Sequence, residues 1–201
     1  SRASFSKNIE IDTLRTLKYE FSMNVNANRN VNFNNDVQYA SKTIAYSPGL
    51  GLRFTWKKLF EIRPEYTVEI TRNSYNLDLF DDREFLRHEV RLRTTTFWPK
   101  ELEWNNDIRY YYNPSLAGAF QKSSVFWNSS IAYSVMQDKG LITFKVYDLL
   151  NQNTNARRTA TQDYIQDVQS TVLQQYFMLN FSYKFNTLGK KGEVRENNWF
   201  D

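Results

Sequence analysis

Apolar and polar residues alternate along segments of roughly ten residues or more, and this period of two constrains the fold most. Between Leu17 and Asn28 every odd position is apolar and every even position is polar. Successive side chains of a β-strand point to opposite faces, so the alternation predicts a strand with one apolar and one polar face. The pattern recurs and predicts eight strands: Leu17–Asn28, Ile44–Trp56, Phe60–Ile70, Leu86–Trp98, Leu102–Tyr112, Val125–Val135, Leu141–Tyr147 and Leu173–Phe185.

The connections between these predicted strands alternate in length. Short turns follow the second, fourth and sixth strands, near Lys57 and Lys58, at Trp98 to Glu101 and at Gln137 to Gly140. Longer polar stretches follow the first, third, fifth and seventh strands, at Arg29 to Lys42, Asn73 to Arg83, Asn113 to Lys122 and Asp148 to Ser170. Short periplasmic turns and long extracellular loops are typical of outer-membrane barrels. The sequence therefore predicts an all-β, antiparallel transmembrane β-barrel, with about eight strands in this chain.

Composition is compatible with membrane strands and excludes membrane helices. No run of about 18 apolar residues occurs, as a helical span would need. The mean hydropathy of −0.66 is no obstacle to a barrel, because each strand alternates lipid-facing and polar residues. Trp and Tyr lie toward the predicted strand ends, where an aromatic girdle would form, at Tyr19, Trp56, Trp98, Trp104, Tyr112 and Tyr133. A soluble β-sandwich is the alternative, but its strands usually have only about 5–6 residues.

The chain divides into three parts on this interpretation. Residues 1–16 lead into the first strand, residues 17–185 form the barrel strands, and residues 186–201 form a periplasmic tail that we expect to be disordered. The first residues lack the charged and apolar regions of a signal peptide. We therefore expect that a signal peptide has been removed or that the sequence starts inside a longer protein.

Pro48 and Pro64 fall within predicted strands, where each removes a hydrogen-bond donor from the sheet. Two explanations are open. Either the strands contain a bulge at each proline, or the prolines mark local edges of the sheet.

The residues needed for catalysis or metal binding are largely missing. The chain has no Cys and a single histidine, His88, which rules out thiolate sites and any His cluster. His88 lies between Leu86 and Val90 and is predicted to be a rim residue. The net charge of +4 is spread among interleaved acidic residues, so no nucleic-acid partner is expected. We predict no catalytic residue, no metal and no cofactor.

Charged residues recur on the polar faces of the third, fourth and fifth predicted strands. Glu61, Glu65 and Glu69 share one face and could form an acid–base pair or a cation site. Arg87, Arg91 and Arg93 on the next strand favour cross-strand ion pairing instead. The predicted network, on the lumen side of the wall, comprises Glu61, Arg63, Glu65, Glu69, Arg87, Glu89, Arg91, Arg93, Glu103, Asp107 and Arg109.

The last third of the chain resembles a known family. The stretches Lys145 to Asn153, Asp163 to Gln169 and Tyr176 to Phe185 resemble the C-terminus of the outer-membrane β-barrel family of Bacteroidota, which is similar to TonB-dependent receptors. The resemblance is specific from Val125 to Phe185 and extends by strand rhythm to Leu17. It implies a barrel of about 22 strands that encloses an N-terminal plug and is preceded by a small carboxypeptidase-regulatory-like domain.

Two functions follow as hypotheses, neither of them enzymatic. In the first, the chain is the C-terminal portion of a TonB-dependent-receptor-like nutrient transporter in the bacterial outer membrane. Its partners would be lipid, the remainder of the barrel, the plug, and the TonB system, a surface lipoprotein or an envelope complex. In the second, the chain is a small complete eight-strand barrel or barrel subunit with a structural, adhesion or envelope-complex role.

The end of the final predicted strand resembles an assembly signal. Phe181, Tyr183 and Phe185 alternate with polar residues, as in the aromatic ending by which insertion machinery recognises outer-membrane barrels. An unpaired strand edge can pair with a strand of another protein, which gives the resemblance a physical basis. The alternative is that these residues are ordinary lipid-facing aromatics of the periplasmic girdle.

Overall fold

A computed structural model of the chain describes residues 1–77, 81–116, 120–152, 154–160, 165–171 and 175–185. These residues form eleven strands and no helix: β1 Arg2–Glu10, β2 Arg15–Asn34, β3 Val37–Trp56, β4 Phe60–Tyr75, β5 Arg83–Thr96, β6 Leu102–Tyr112, β7 Ser123–Val135, β8 Gly140–Tyr147, β9 Thr154–Ala160, β10 Ile165–Thr171 and β11 Tyr176–Tyr183. Nine strands form one sheet in the order β1-β2-β3-β4-β5-β6-β7-β8-β11, with every neighbouring pair antiparallel. Strands β9 and β10 form a separate hairpin.

The predicted all-β antiparallel architecture is confirmed, with three strands that the alternation did not predict. The eight predicted strands correspond to β2–β8 and β11. Strand β1 lies in residues 1–16, which were expected only to lead into the barrel, and β9 and β10 lie in the predicted loop between Asp148 and Ser170. The predicted tail, residues 186–201, lies outside the described residues, as do Leu173 and Gln174.

The predicted loop from Arg29 to Lys42 is wrong. Strands β2 and β3 have 20 residues each and stay paired from Arg15 and Trp56 to Asn34 and Val37. The two turn residues, Asn35 and Asp36, both have positive φ. Such two-residue turns match the natural twist of paired strands, so backbone pairing continues although the side chains are polar. A strand needs about 9–11 residues to cross the hydrocarbon core of a membrane, so these 20-residue strands are about twice as long as one crossing requires.

The register places apolar residues opposite apolar residues across the sheet. Phe21 lies opposite both Phe5 and Leu50, and Leu50 also lies opposite Tyr66. The same row continues through Val90, Tyr110 and Val125. A shift of one residue would move every one of these side chains to the other face. We call this side of the sheet the outward face and the opposite side the charged face.

The outward face is not covered by protein. Leu50 is 55% exposed and Leu179 is 73% exposed, while the buried hydrophobic residues in the described part of the chain are Tyr39, Leu116 and Val146. A soluble protein rarely exposes so large a continuous apolar surface. The sheet therefore lacks the internal core that a β-sandwich would have, and its apolar side requires a nonaqueous environment.

The two prolines interrupt pairing between β3 and β4 without shifting the register. The missing pairs are those that would join Pro48 to Val68 and Pro64 to Leu52, together with one adjacent pair at each site. The pairs on either side of each gap keep the same alignment, so the predicted bulge is not present. Each proline remains paired on its other side, with Met23 and Leu92 respectively. A proline cannot donate a hydrogen bond, which explains a gap on only one side.

Candidate functional site: the charged face and the final strand

The central strands place all eleven residues of the predicted charged network on one face of the sheet. Glu65 lies opposite Arg91, and Glu69 lies opposite Arg87, across the β4–β5 pair. Across the β5–β6 pair, Arg93 lies opposite Asp107. Because residues two apart on a strand share a face, alternate positions of all three strands contribute to the same surface.

Asp107 is the centre of the densest cluster. Its carboxylate accepts hydrogen bonds from Arg91, with Nε to Oδ1 at 3.0 Å and the terminal guanidinium nitrogen to Oδ2 at 2.7 Å. Arg109 donates to the same two oxygens at 3.3 and 3.0 Å. The Asp107 side chain is only 4% exposed. Arg91 and Arg109 lie directly opposite each other, and the carboxylate that both contact offsets the repulsion between them.

The three glutamates of β4 also bind arginines, in two different ways. Glu65 forms an ion pair with Arg93, and Glu69 forms one with Arg87, both across the β4–β5 pair. Glu61 instead binds Arg63 of its own strand. Cross-strand ion pairing, which the sequence favoured over an acid–base pair or a cation site, is thus found for Glu65 and Glu69.

Glu89 and Glu103 stand apart from these ion pairs. Glu103 accepts a hydrogen bond from the Asn105 side chain at 2.7 Å. Among the residues that the structure describes, no basic group lies within 4 Å of either carboxylate. The described part of the chain also contains no group of three or more His, Cys, Asp or Glu residues that could hold a metal ion.

A depression that sequence reasoning missed lies on the charged face beside the ion pairs. It has a volume of about 220 Å³ and lies over Gly49 and Gly51, with Lys18, Arg53 and Glu65 among its walls. A Cβ atom on Gly49 would come within 2.7 Å of the Ser22 hydroxyl oxygen. The sequence feature that could have predicted this depression is the pair of glycines on the polar face of one strand.

His88 lies on the outward face, away from the charged network. Its Nδ1 is 2.7 Å from the Tyr66 hydroxyl, and its ring stacks between those of Tyr66 and Tyr112 at centroid distances of 6.1 and 5.8 Å. The rings of Tyr66 and Tyr112 thus enclose His88, which takes no part in the charged network.

The final strand, β11, is one edge of the sheet. Phe181 lies opposite Ile142, and Tyr183 lies opposite Gly140, so both side chains are on the outward face. Phe185 is 83% exposed, and the centre of its ring lies 5.0 Å from the centre of the Tyr183 ring. The Lys184 amide donates to the Lys139 carbonyl at 2.8 Å, which extends the pairing one residue beyond the strand.

The sequence profile of the outer membrane protein beta-barrel family matches residues 2–183. The chain belongs to this family. It is therefore an outer-membrane β-barrel protein of bacteria, and its outward face contacts lipid. No curated protein and no solved structure matches the chain. Among the residues that the structure describes, no helix is long and apolar enough to cross a membrane.

Proposed function

We propose that the chain forms part of the wall of a larger, TonB-dependent-receptor-like barrel that moves a nutrient across the outer membrane. The charged face lines the lumen of that barrel, and its ion pairs hold neighbouring strands in register. The chain's partners are the remainder of the barrel, a plug, and the TonB system or a surface lipoprotein. The chain itself has no catalytic role.

The observation that carries this proposal is the direction of the two edge strands. Nine successive antiparallel strands leave β1 and β11 running the same way, both toward the end with the short turns. Direct pairing of β1 with β11 would therefore be parallel, whereas bacterial barrels have an even number of antiparallel strands. An odd number of further strands between β1 and β11 restores the even number. The alternative, a complete eight-strand barrel, would need no further strands, because its strand number is already even.

Disulfide trapping tests whether further strands separate the two edges. The chain has no cysteine, so engineered pairs report without background. Phe5→Cys with Phe21→Cys is the positive control, because these residues lie directly opposite on β1 and β2. Phe5→Cys with Leu179→Cys and Phe5→Cys with Phe181→Cys place one cysteine on each edge strand. We expect the control pair alone to cross-link in outer membranes, and a disulfide between the two edges would contradict the proposal.

Uptake measurements test the transport role itself. A deletion strain is screened on radiolabelled nutrients, with and without collapse of the inner-membrane proton gradient. We expect one nutrient whose uptake falls on deletion and also on collapse of the gradient. Uptake that falls on deletion but does not change when the gradient is collapsed would indicate a passive pore. Envelope defects of the deletion strain without any uptake defect would favour the structural role.

We further propose that Phe181, Tyr183 and Phe185 form the assembly signal of this barrel. The edge of β11 has no partner among the described strands and can pair with a strand of the insertion machinery. We expect Phe185→Ala to lower the amount of barrel inserted in cells more than it lowers the stability of folded barrel in detergent. Phe177→Ala, on the same face of the same strand, is the matched control. Equal effects of the two substitutions in cells would leave Phe185 with a girdle role alone.

A further inference from the structure

A row of basic residues crosses the outward face at the loop end of the sheet. Arg29, Lys42 and Arg72 follow Ala27, Ile44 and Ile70, each two positions further along its strand toward the loop end. Arg29 lies directly opposite Lys42, and Arg72 lies opposite Ile44. All three side chains therefore project from the lipid-facing side of the wall, immediately beyond its apolar rows. We call these three residues the basic row.

The basic row carries more positive charge than its neighbours neutralise. Arg72 forms an ion pair with Glu84, and its guanidinium lies 5.7 Å from the centre of the Tyr46 ring. Arg29 and Lys42 are both exposed, and among the described residues no carboxylate lies within 4 Å of either. Like charges directly opposite each other destabilise a strand pair. An anion bound between Arg29 and Lys42 would remove that repulsion.

The height of the basic row points to the lipid headgroups. Lys42 precedes Trp56, at the turn end of β3, by 14 residues, and Arg72 follows Phe60, at the turn end of β4, by 12 residues. A strand needs about 9–11 residues to cross the hydrocarbon core, so both side chains lie just beyond it. Long basic side chains at such a position bury their stems and extend their charges to the interface.

We propose that Arg29 and Lys42, with Arg72 beside them, bind the anionic phosphate of a lipid headgroup in the outer leaflet. A lipid fits this site better than a soluble anion, because apolar residues at Ile44, Ala27 and Ile70 lie directly below the charges and face the acyl chains. The Tyr46 ring, two residues below Ile44 on the same face, completes the boundary between chain and headgroup. The site depends on the membrane location of the barrel and not on transport.

The test compares two charge reversals on opposite faces of β3. Lys42→Glu creates a cross-strand pair with Arg29, which favours folding while it removes the net charge of the site. Arg53→Glu is the matched control, because Arg53 also lies opposite a lysine, Lys18, but on the charged face. Full-length protein in neutral detergent is titrated with lipid A, a phosphorylated glycolipid, and bound lipid is counted by native mass spectrometry.

Each basic side chain near a membrane surface strengthens binding about fivefold, and Lys42→Glu changes the charge of the site by two. We therefore expect this substitution to weaken lipid A binding about 30-fold. Arg53→Glu and the conservative Lys42→Arg should bind as the wild type does, and phosphatidylcholine should bind all four proteins equally. Unchanged binding by Lys42→Glu, or equal weakening by Arg53→Glu, would overturn the proposal. So would displacement of lipid A by an excess of inorganic phosphate, which would indicate a site for a soluble anion.

Folding is checked separately, so that loss of structure is not read as loss of binding. Each variant is first tested for the heat-modifiable gel mobility of a folded barrel. If Lys42→Glu does not fold, the double variant Arg29→Gln with Lys42→Gln removes both charges without adding a new one. The same 30-fold loss is then expected, and wild-type binding by that double variant would overturn the proposal.

Discussion

The central strands β4–β6 and the β2–β3 ribbon are held together by different interactions. In the centre, the charged face is densely ion-paired, and Asp107 is almost fully buried between Arg91 and Arg109. In the ribbon, the corresponding positions carry Ser22, Gly49 and Gly51, and the pairing runs without interruption to a two-residue turn. The difference indicates that side-chain pairs stabilise the register in the centre, whereas backbone pairing and turn geometry stabilise it in the ribbon.

The largest effect is expected from removing the central carboxylate. Asp107→Asn leaves two opposed guanidinium groups without their counter-charge, and breaking a buried ion pair in this way costs about 3–5 kcal/mol. The free energy of unfolding is measured by denaturant titration of the barrel in detergent or lipid vesicles. Glu20→Gln, which removes an exposed partner of Lys18 in the ribbon, is the comparison and should have a much smaller effect. Equal losses would mean that the two regions do not differ as proposed.

The cost of introducing a charge on the outward face should differ between the membrane-embedded centre and the part of the ribbon that lies beyond the membrane. Ile108→Arg should cost about 2–4 kcal/mol if Ile108 lies near the bilayer midplane, whereas Val31→Arg should cost about 0–1 kcal/mol. Val31 is on the outward face of β2, beyond the basic row, and is 52% exposed. The measurement is folding into lipid vesicles of defined thickness. Similar costs at the two positions would place the end of the ribbon inside the membrane.

A smaller effect is expected where Gly49 of β3 packs closely against the Ser22 side chain of β2. Gly49→Ala brings a methyl group within 2.7 Å of the Ser22 hydroxyl and should destabilise the barrel by about 1 kcal/mol, the lower end for overpacking, because that hydroxyl can rotate away. Gly51→Ala meets only ordinary contacts, the nearest at 3.6 Å to the Glu65 side chain, and should be tolerated. Ser22→Ala should rescue Gly49→Ala. Failure of that rescue would assign the cost to the backbone instead.

The smallest effect concerns the turn between β1 and β2, outside the membrane. The Arg15 side chain, and then the amides of Leu14 and Arg15, donate to the Asp12 carboxylate and hold its pKa below the ordinary value of 3.8. A carboxyl whose pKa is lowered by folding stabilises the folded turn above its unfolded pKa, and that contribution is lost as the pH falls through its folded pKa. Amide chemical shifts of Leu14 and Arg15 should therefore change below pH 3.8 but not between neutral pH and pH 5. Asp12→Asn should abolish the transition.

The face on which each charged residue of the candidate site lies could be predicted from the sequence, because it depends only on whether the residue occupies an odd or an even position of its strand. Once Tyr66 is assigned to lipid, Glu65 must face the other way, and so must the charged residues at alternate positions of β5 and β6. Which arginine each glutamate contacts depends on the register between strands. A diagonal pair such as Glu65 with Arg93 and a same-strand pair such as Glu61 with Arg63 satisfy the same alternation.

The sequence by itself determined the two-faced strands and the apolar surface that requires a membrane, since both follow from a period of two along the chain. It also determined their antiparallel succession, which follows from the alternation of short turns with longer connections. Only the tertiary structure decided the extent of the ribbon, the existence of β1 and the unshifted register across Pro48 and Pro64. These features depend on backbone hydrogen bonds between strands, which form almost irrespective of side-chain polarity. The polar stretch from Arg29 to Lys42 therefore has the sequence pattern of a loop, although its two halves pair with each other as the ends of β2 and β3.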